Sequence, residues 1–343
     1  MQTGLGWHSP GPLFVQAAVP VFVVGSEGIL DSVTNTRTLI DEVFRRRNEC
    51  NPGVDFLFDR THKTWEIPCG HTTLSVGHRT LIMGILNVTP DSFSDGGCFT
   101  DPDEAVKHAL HMLVEGADII DVGGESTRPG ATPVDADEEL RRVLPVIAEI
   151  RRRAPEAIIS IDTYKAAVAD AALDAGANII NDVWGLMKDL EMAAVAARRN
   201  VPVVVMHNQE GTLYKNLVHD VIAALRRSIR RAVEAGLPPE MIIIDPGIGF
   251  GKTAVQNLDL LKELQALQVL GRPILLGTSR KSTIGKVLGG VPVEERLEGT
   301  AATVALGIAA GADIVRVHDV KAMKRIAMMT DAIVRPGRGG FTG

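Results

Sequence analysis

Aromatic side chains make up only 4% of the 343 residues, too few for a platform that stacks the bases of single-stranded nucleic acid. No run reaches the roughly 18 uninterrupted apolar residues of a membrane helix. The nearest, Leu13 to Val24, is broken by Gln16 and Pro20 and has no Lys or Arg before it, so neither a membrane span nor a secretory signal is expected. Basic charge is in deficit, 36 Lys and Arg against 42 Asp and Glu, for a net charge of −6. A strongly basic face would strip the rest of the surface, which argues against nucleic acid as a partner. A small anionic ligand needs only a few local cations and stays open. The three cysteines, Cys50, Cys69 and Cys98, are odd in number and lack metal-ligand spacing, as suits a reducing, cytoplasmic compartment. The chain also lacks His-Glu-x-x-His and Cys-x-x-Cys, which argues against built-in zinc, and the Gly-x-Ser-x-Gly elbow of a serine hydrolase.

What is present is ordinary for a globular protein: 45% hydrophobic and 23% charged residues. Residues 1–63 read as an irregular extension, with Pro10, Pro12, Pro20 and Pro52, a basic run at Arg45-Arg46-Arg47, and one helix expected from about Thr36 to Arg47. No function is assigned to it. Residues 64–76 read as a hairpin turning at Cys69-Gly70. From there to residue 343 short β-rich runs alternate with amphipathic stretches. Strands are expected at Leu81–Asn87, Asp118–Gly123, Ile158–Asp162, Asn178–Asp182, Val201–His207, Met241–Asp245, Pro273–Gly277 and Asp313–Val317. Helices are expected at Asp101–Glu115, Asp137–Arg153, Tyr164–Ala175, Leu217–Ala235, Glu294–Ala310 and Lys321–Val334. Gly116, Gly176 and Gly311 each stand just before a strand, where a helix ends on a left-handed glycine. The runs are apolar nearly throughout, as in parallel strands buried on both faces. The fold class is α/β: one (β/α)8 TIM barrel behind an N-terminal hairpin and an irregular extension. An open doubly wound sheet would want Gly-x-G-x-x-Gly after its first strand, and Asn87–Gly97 has none.

The reactive face of such a barrel lies at the C-terminal strand ends, and the polar residues gather there. Successive ends carry Asn87, Gly123 running into Glu125-Ser126-Thr127-Arg128, Asp162, Asn181-Asp182, Met206-His207, Asp245, Ser279-Arg280-Lys281, and Arg316 with His318. Asp162, Asn181 and Asp245 suit a flat heterocycle with an amino–oxo edge, since a carboxylate accepts two parallel N–H bonds. Lys281, Arg128, Arg316 and His318 place positive charge at the rim and suit a phosphate or carboxylate. A donor-rich head with an anionic tail is implied. Lys281 also suits a Schiff base if Arg280 beside it depresses its pKa. Gly249-Phe250-Gly251-Lys252-Thr253 resembles the end of a phosphate-binding loop, but the glycine that should open the motif is Pro246.

These segments resemble one family. ILNVTPDSFSDGG (85–97) and DIIDVGGESTRPGA (118–131) look like its two hallmark segments. The likeness continues in order through SIDT (160–163), INDVWG (180–185), VVMHN (204–208), DPGIGFGKT (245–253), GTSRKS (277–282) and VRVHDV (315–320). The family is that of the dihydropteroate synthases. The resemblance implies a transferase of folate synthesis that joins 6-hydroxymethyl-7,8-dihydropterin diphosphate to 4-aminobenzoate and releases diphosphate and 7,8-dihydropteroate. By matched position, Asp162, Asn181, Asp245 and Lys281 hold the pterin, and Met206, Phe250 and Gly277 line its slot. Asn87, Arg316 and His318 bind diphosphate, with Asn87 also a ligand of Mg2+. Thr127, Arg128, Pro129 and Ser282 contact aminobenzoate. Phe93 and Asp95 sit on a loop that closes over the reaction, and Asp95, Lys281, Arg128 and Phe93 form the catalytic group. Once diphosphate leaves, a methylene cation conjugated to the pterin remains, and Asp95 is expected to stabilise it. The family pairs through its last helices, so a homodimer is expected. Beyond Met206 the loop reads His207-Asn208-Gln209-Glu210-Gly211, a departure from the family pattern, and no role is carried past Met206. Two other readings share parts of the site: a corrinoid-linked methyltetrahydrofolate methyltransferase barrel, and a non-catalytic pterin-binding homologue.

Overall fold

A computed structural model describes residues 63–89, 102–126 and 133–335. The extension expected over 1–63 therefore lies outside the described residues except for Lys63. The hairpin is present as β1 (Trp65–Cys69) and β2 (Thr72–Val76), antiparallel and in register from Trp65–Val76 to Cys69–Thr72. Eight parallel strands follow: β3 (Leu81–Asn87), β4 (Ile119–Gly123), β5 (Ile158–Asp162), β6 (Ile179–Asp182), β7 (Val203–Met206), β8 (Ile242–Asp245), β9 (Leu275–Leu276) and β10 (Ile314–Val317). Their order in the sheet is β8-β7-β6-β5-β4-β3-β10-β9. A single parallel bridge between Ile244 and Ile274 joins the two ends, with Ile244 N–H donating to the Pro273 carbonyl at 3.0 Å. That seam makes the sheet a barrel.

Nine α-helices among the described residues connect and clad the strands: α1 (Pro102–Glu115), α2 (Ala136–Arg153), α3 (Ala166–Asp174), α4 (Met192–Arg199), α5 (Leu217–Glu234), α6 (Ala254–Lys262), α7 (Ser282–Val287), α8 (Leu297–Ala309) and α9 (Val320–Val334). Asp135 caps α2 by accepting from Glu138 N–H at 2.7 Å, and Arg151, Arg152 and Arg153 close it against the helix dipole. Thr253 and Gln256 form a reciprocal capping box at the start of α6. Gly84 lets α1 and α9 lie close on β3, because a Cβ there would stand 2.8 Å from Met112 Sδ and 3.2 Å from Val320. No described helix is long and apolar enough to cross a membrane.

Several boundaries shift by one or two residues, the strand expected over Val201–His207 to Val203–Met206 among them, and three differences have a clear physical reason. The strand expected over Pro273–Gly277 shrinks to two residues, because Pro273 has no N–H to give and the stretch lies on the seam. The helix expected from Tyr164 starts at Ala166, since Tyr164 and Lys165 both reach back to Glu125. The helix expected from Glu294 begins at Leu297, after a one-turn 3-10 helix over Val293–Glu295.

Side chains alternate along each strand, so every second residue faces the barrel axis. One apolar layer at the strand N-termini holds Leu81, Met83, Ile119, Ile158, Ile179, Val204, Ile243, Leu275 and Ile314. Ile67, Cys69, Leu74 and Val76 of the hairpin pack directly on it, with Trp65 at the margin. The hairpin is thus a stopper for that end of the barrel.

Candidate active site

Two residues further along the strands the inward side chains change character. Above Ile119, Ile158, Ile179, Val204, Ile243, Leu275 and Ile314 stand Asp121, Ser160, Asn181, Met206, Asp245, Gly277 and Arg316. Asp121, Ser160, Asn181, Met206 and Asp245 are buried. A polar stratum resting on a sealed apolar one is costly to fold, and its members pay for one another through hydrogen bonds.

The floor is an ionic cluster. Arg316 donates from Nε to Asp121 Oδ2 at 2.5 Å and from Nη2 to Asp162 Oδ2 at 2.6 Å, and Asn181 Nδ2 donates to Asp121 Oδ2 at 3.0 Å. Burial pushes the Asp162 carboxyl well above its ordinary range. Arg316 opposes that shift and Asp121 adds to it. The Arg316 guanidinium is held more firmly protonated by Asp121 and Asp162, against its burial. Asp121 Oδ1 and Asp162 Oδ1 are buried and accept no hydrogen bond from any described residue. A buried acceptor without a donor is expensive, so the floor presents two oxygens suited to N–H groups of a ligand.

The wall is built by the turn after β8. Asp245 follows Met206 in strand register, its Oδ1 accepts from Gly247 N–H at 2.7 Å, and burial raises it to about 6 against that bond and Lys281. Gly247 (φ +70°) lies against the end of β7, where a Cβ would stand 1.9 Å from the His207 carbonyl oxygen. The loop then wraps the Lys252 ammonium, which donates to the Gly247 carbonyl at 2.9 Å and the Phe250 carbonyl at 3.0 Å and lies 2.8 Å from His207 Nδ1. Burial depresses Lys252 to about 7 and His207 to about 3. Neutral His207 is then the acceptor. The wrapped loop sets Phe250 under Lys281, whose Nζ is 4.1 Å from the ring centroid, while a Cβ on Gly249 would stand 3.0 Å from Lys281 Cδ. Gly277 leaves room beside Asp245 and Arg316, since a Cβ there would lie 3.9 Å from each.

Asp162, Asn181, Asp245, Lys281, Met206, Phe250 and Gly277 are therefore drawn together at the C-terminal strand ends, on one side of the apolar layer. Asn87 ends β3 beside them: its Oδ1 and Asp162 Oδ2 both lie within 4 Å of where a Gly123 Cβ would sit. His318 Nδ1 meets Ser279 Oγ at 2.9 Å, and Ser282 is exposed at the start of α7. Arg316 departs from expectation in position. It lies on the floor rather than at the rim, because it follows Ile314 on the inward face. Asp182 points away from the axis into its own turn, accepting from Trp184 and Leu186 N–H at 2.8 and 2.7 Å. Phe93, Asp95, Thr127, Arg128 and Pro129 lie outside the described residues.

Asp121 was missed, because a carboxylate in the middle of DIIDVGG reads as a strand residue until the inward parity is known. Its signal was there: it stands two residues after Ile119 as Asn181 stands two after Ile179. Arg280 does not press on Lys281, as a Schiff-base reading would want. Its guanidinium is committed to Asp319 at 2.7 and 3.0 Å.

Known proteins are similar to this chain over its barrel. The family model described as pterin binding enzyme matches residues 83–318. The dihydropteroate synthase of Clostridium beijerinckii is 57% identical over 267 residues, covering 78% of this chain and 98% of that protein. A solved dihydropteroate synthase from Clostridium difficile, in the presence of pteroic acid, is 56% identical with a TM-score of 0.73, over 76% of this chain and 99% of that one. That of Xanthomonas albilineans with 4-aminobenzoic acid is 42% identical with a TM-score of 0.75, over 80% and 100%.

Proposed function

We infer the chemistry from a premise now in hand: the chain belongs to the dihydropteroate synthase family of pterin-binding enzymes. It is a transferase that joins 6-hydroxymethyl-7,8-dihydropterin diphosphate to 4-aminobenzoate, releasing diphosphate and 7,8-dihydropteroate. One observation carries the assignment of the site. Buried carboxylate oxygens on Asp121 and Asp162 lack a partner among the described residues, and Asp245, Asn181, Arg316 and the stacked pair of Lys281 and Phe250 lie at the same end of the barrel. The pterin's amino and ring N–H groups are the donors these acceptors want. The corrinoid-linked methyltransferase and the non-catalytic homologue are not favoured by the relatives found.

We propose the following division of labour. Asp162 and Asp245 accept from the pterin ring. Asn181, with its Nδ2 spent on Asp121, offers Oδ1. Lys281 covers the ring from the Phe250 side. Asn87 and His318 hold the diphosphate near the strand ends, and Arg316 acts from the floor by fixing Asp162. Ser282 contacts the aminobenzoate carboxylate. Mg2+ fits such a site through few protein ligands. By its matched position at the end of β3, Asn87 would be the ion's protein ligand, a hard oxygen donor of the kind Mg2+ takes. When bound it supplies charge neutralisation for the leaving group. The carbon–oxygen bond breaks with its electron pair on diphosphate, and the methylene cation delocalises into the pterin. The aminobenzoate nitrogen then gives its lone pair to that carbon, and the resulting ammonium passes its proton to the departed diphosphate or to water. The arylamine needs positioning rather than a base. Asp95, Phe93, Thr127, Arg128 and Pro129 keep the roles their matched positions imply.

The exposed Leu306, Met328, Met329 and Ile333 on the neighbouring helices α8 and α9 support a homodimer. The free, buried Cys69 accords with action in the cytoplasm. The test is a coupled assay of diphosphate release with the pterin diphosphate, 4-aminobenzoate and Mg2+, repeated on a chain shortened to begin at Thr64. Equal turnover places the activity in residues 64–343, and absence of aminobenzoate-dependent release rejects the assignment.

A further inference from the structure

Two residues just outside the ligand cavity break local rules at once. Arg280 is one of three described non-glycine residues in the left-handed region, with φ +55°, where an unbranched side chain with a Cβ is strained. Asp319 stands at the N-cap of α9, a position where aspartate ordinarily accepts from the first turn, and makes no such bond. Both departures serve one contact. Arg280 gives Asp319 a bidentate bridge, Nε to Oδ2 at 3.0 Å and Nη2 to Oδ1 at 2.7 Å, the fork geometry that fixes angle as well as distance. The Arg280 backbone is pinned as well: its N–H donates to Thr300 Oγ1 at 3.0 Å, and its carbonyl accepts from Arg296 Nη1 at 3.0 Å.

The bridge does not stand alone. One residue earlier on each side, Ser279 Oγ meets His318 Nδ1 at 2.9 Å and accepts from His318 N–H at 3.1 Å. Consecutive residues of the loop after β9 are thus tied to consecutive residues of the loop after β10. The next residue of the first loop is Lys281, over Phe250. The second loop carries His318 and follows directly from Arg316.

We propose that Arg280 and Asp319 are positioning residues that register the pterin-holding loop against the diphosphate-holding loop, so that the two halves of one substrate are bound at a fixed spacing. This rests on the assignment of Lys281 to the pterin and His318 to the diphosphate. The pair touches neither half itself. Its contribution is to the advantage a joined ligand has over its separate pieces, which depends on geometry between two subsites.

The experiment measures three affinities by calorimetry: 6-hydroxymethyl-7,8-dihydropterin without diphosphate, inorganic diphosphate, and the joined pterin diphosphate. The full chain is compared with Arg280→Gly, whose glycine accepts φ +55° without strain, and with Asp319→Asn, which keeps a good N-cap residue. Both variants should melt no lower than the parent. The two separate pieces should bind within about twofold of it, while the joined substrate binds about tenfold more weakly and kcat/KM falls to match. If all three ligands weaken together with a lower melting temperature, the pair is merely structural and the proposal is overturned. Unchanged affinity for the joined substrate overturns it too. Lys281→Ala and His318→Ala serve as controls. If they leave the pterin and the diphosphate pieces respectively unaffected, the site assignment fails, and the proposal falls for that separate reason.

Discussion

Asp245 shows what a single buried carboxyl costs. Burial lifts it to about 6, above the ordinary range near 4. The folded chain therefore holds this proton longer than the unfolded chain does. Stability is greatest below the unfolded value and is lost as pH rises from about 4 through about 6. Asp245→Asn keeps an Oδ1 for Gly247 N–H and removes the charge. The variant should be more stable than the parent at pH 8, by on the order of 3 kcal/mol, and show no gain at pH 4, by thermal melts across that interval. Pterin binding should fall sharply at pH 8, where Asp245 is ionised, because the amide carries one acceptor where the ring wants two. Lys252 is the converse case. Its amine is buried against His207 Nδ1 and two carbonyls, and Lys252→Met strands His207 Nδ1 and the Phe250 carbonyl, while the Gly247 carbonyl keeps its bond from Phe250 N–H at 3.1 Å. Each buried orphan costs roughly 1–3 kcal/mol, so urea melts should show a loss of several kcal/mol, with pterin affinity down because Phe250 shifts.

At the scale of elements, most of the barrel was readable from the chain. Ile158–Asp162 and Leu81–Asn87 match the expected strands, because the runs are apolar and bounded by polar residues that must reach solvent or a ligand. Gly116, Gly176 and Gly311 mark helix ends at φ between +102° and +115°, a conformation only glycine takes cheaply. What stayed hidden needed register or distance. His207 and Lys252 are 45 residues apart, and nothing local says that the lysine of GFGKT bonds a histidine rather than a phosphate. Arg316 reads as a rim cation until its parity with Ile314 is known. The hairpin was visible, but its use as a stopper was not, since hydrophobic alternation says which face is buried and not against what. Ile67→Ala opens a cavity between hairpin and barrel and should cost about 2–5 kcal/mol in chemical denaturation. It should leave kcat at 25 °C within about twofold, because the polar stratum stands on the far side of the apolar layer.

At the scale of the whole molecule, the apolar side chains exposed on α8 and α9 depart from a self-contained barrel. Leu306, Met328, Met329 and Ile333 are each more than 60% exposed, and a patch of adjoining apolar side chains on neighbouring helices marks an association surface. Met329→Glu with Ile333→Glu should convert the proposed homodimer to monomer in sedimentation equilibrium. A dimer that survives the double charge places its contact elsewhere. Turnover of the monomer tests whether the pairing matters to chemistry.

The stopper has a consequence for traffic. A vessel corked at its base has one doorway, so whatever lies deepest must enter first and leave last. In the placement we propose, the ring-shaped head rests on the Asp121 and Asp162 floor with its tail toward the strand ends, and the second reactant arrives above it. Arrival is then sequential, and the finished molecule has to withdraw whole through the route by which its parts came. A bound product blocks both newcomers together, and no passage through the far end relieves it.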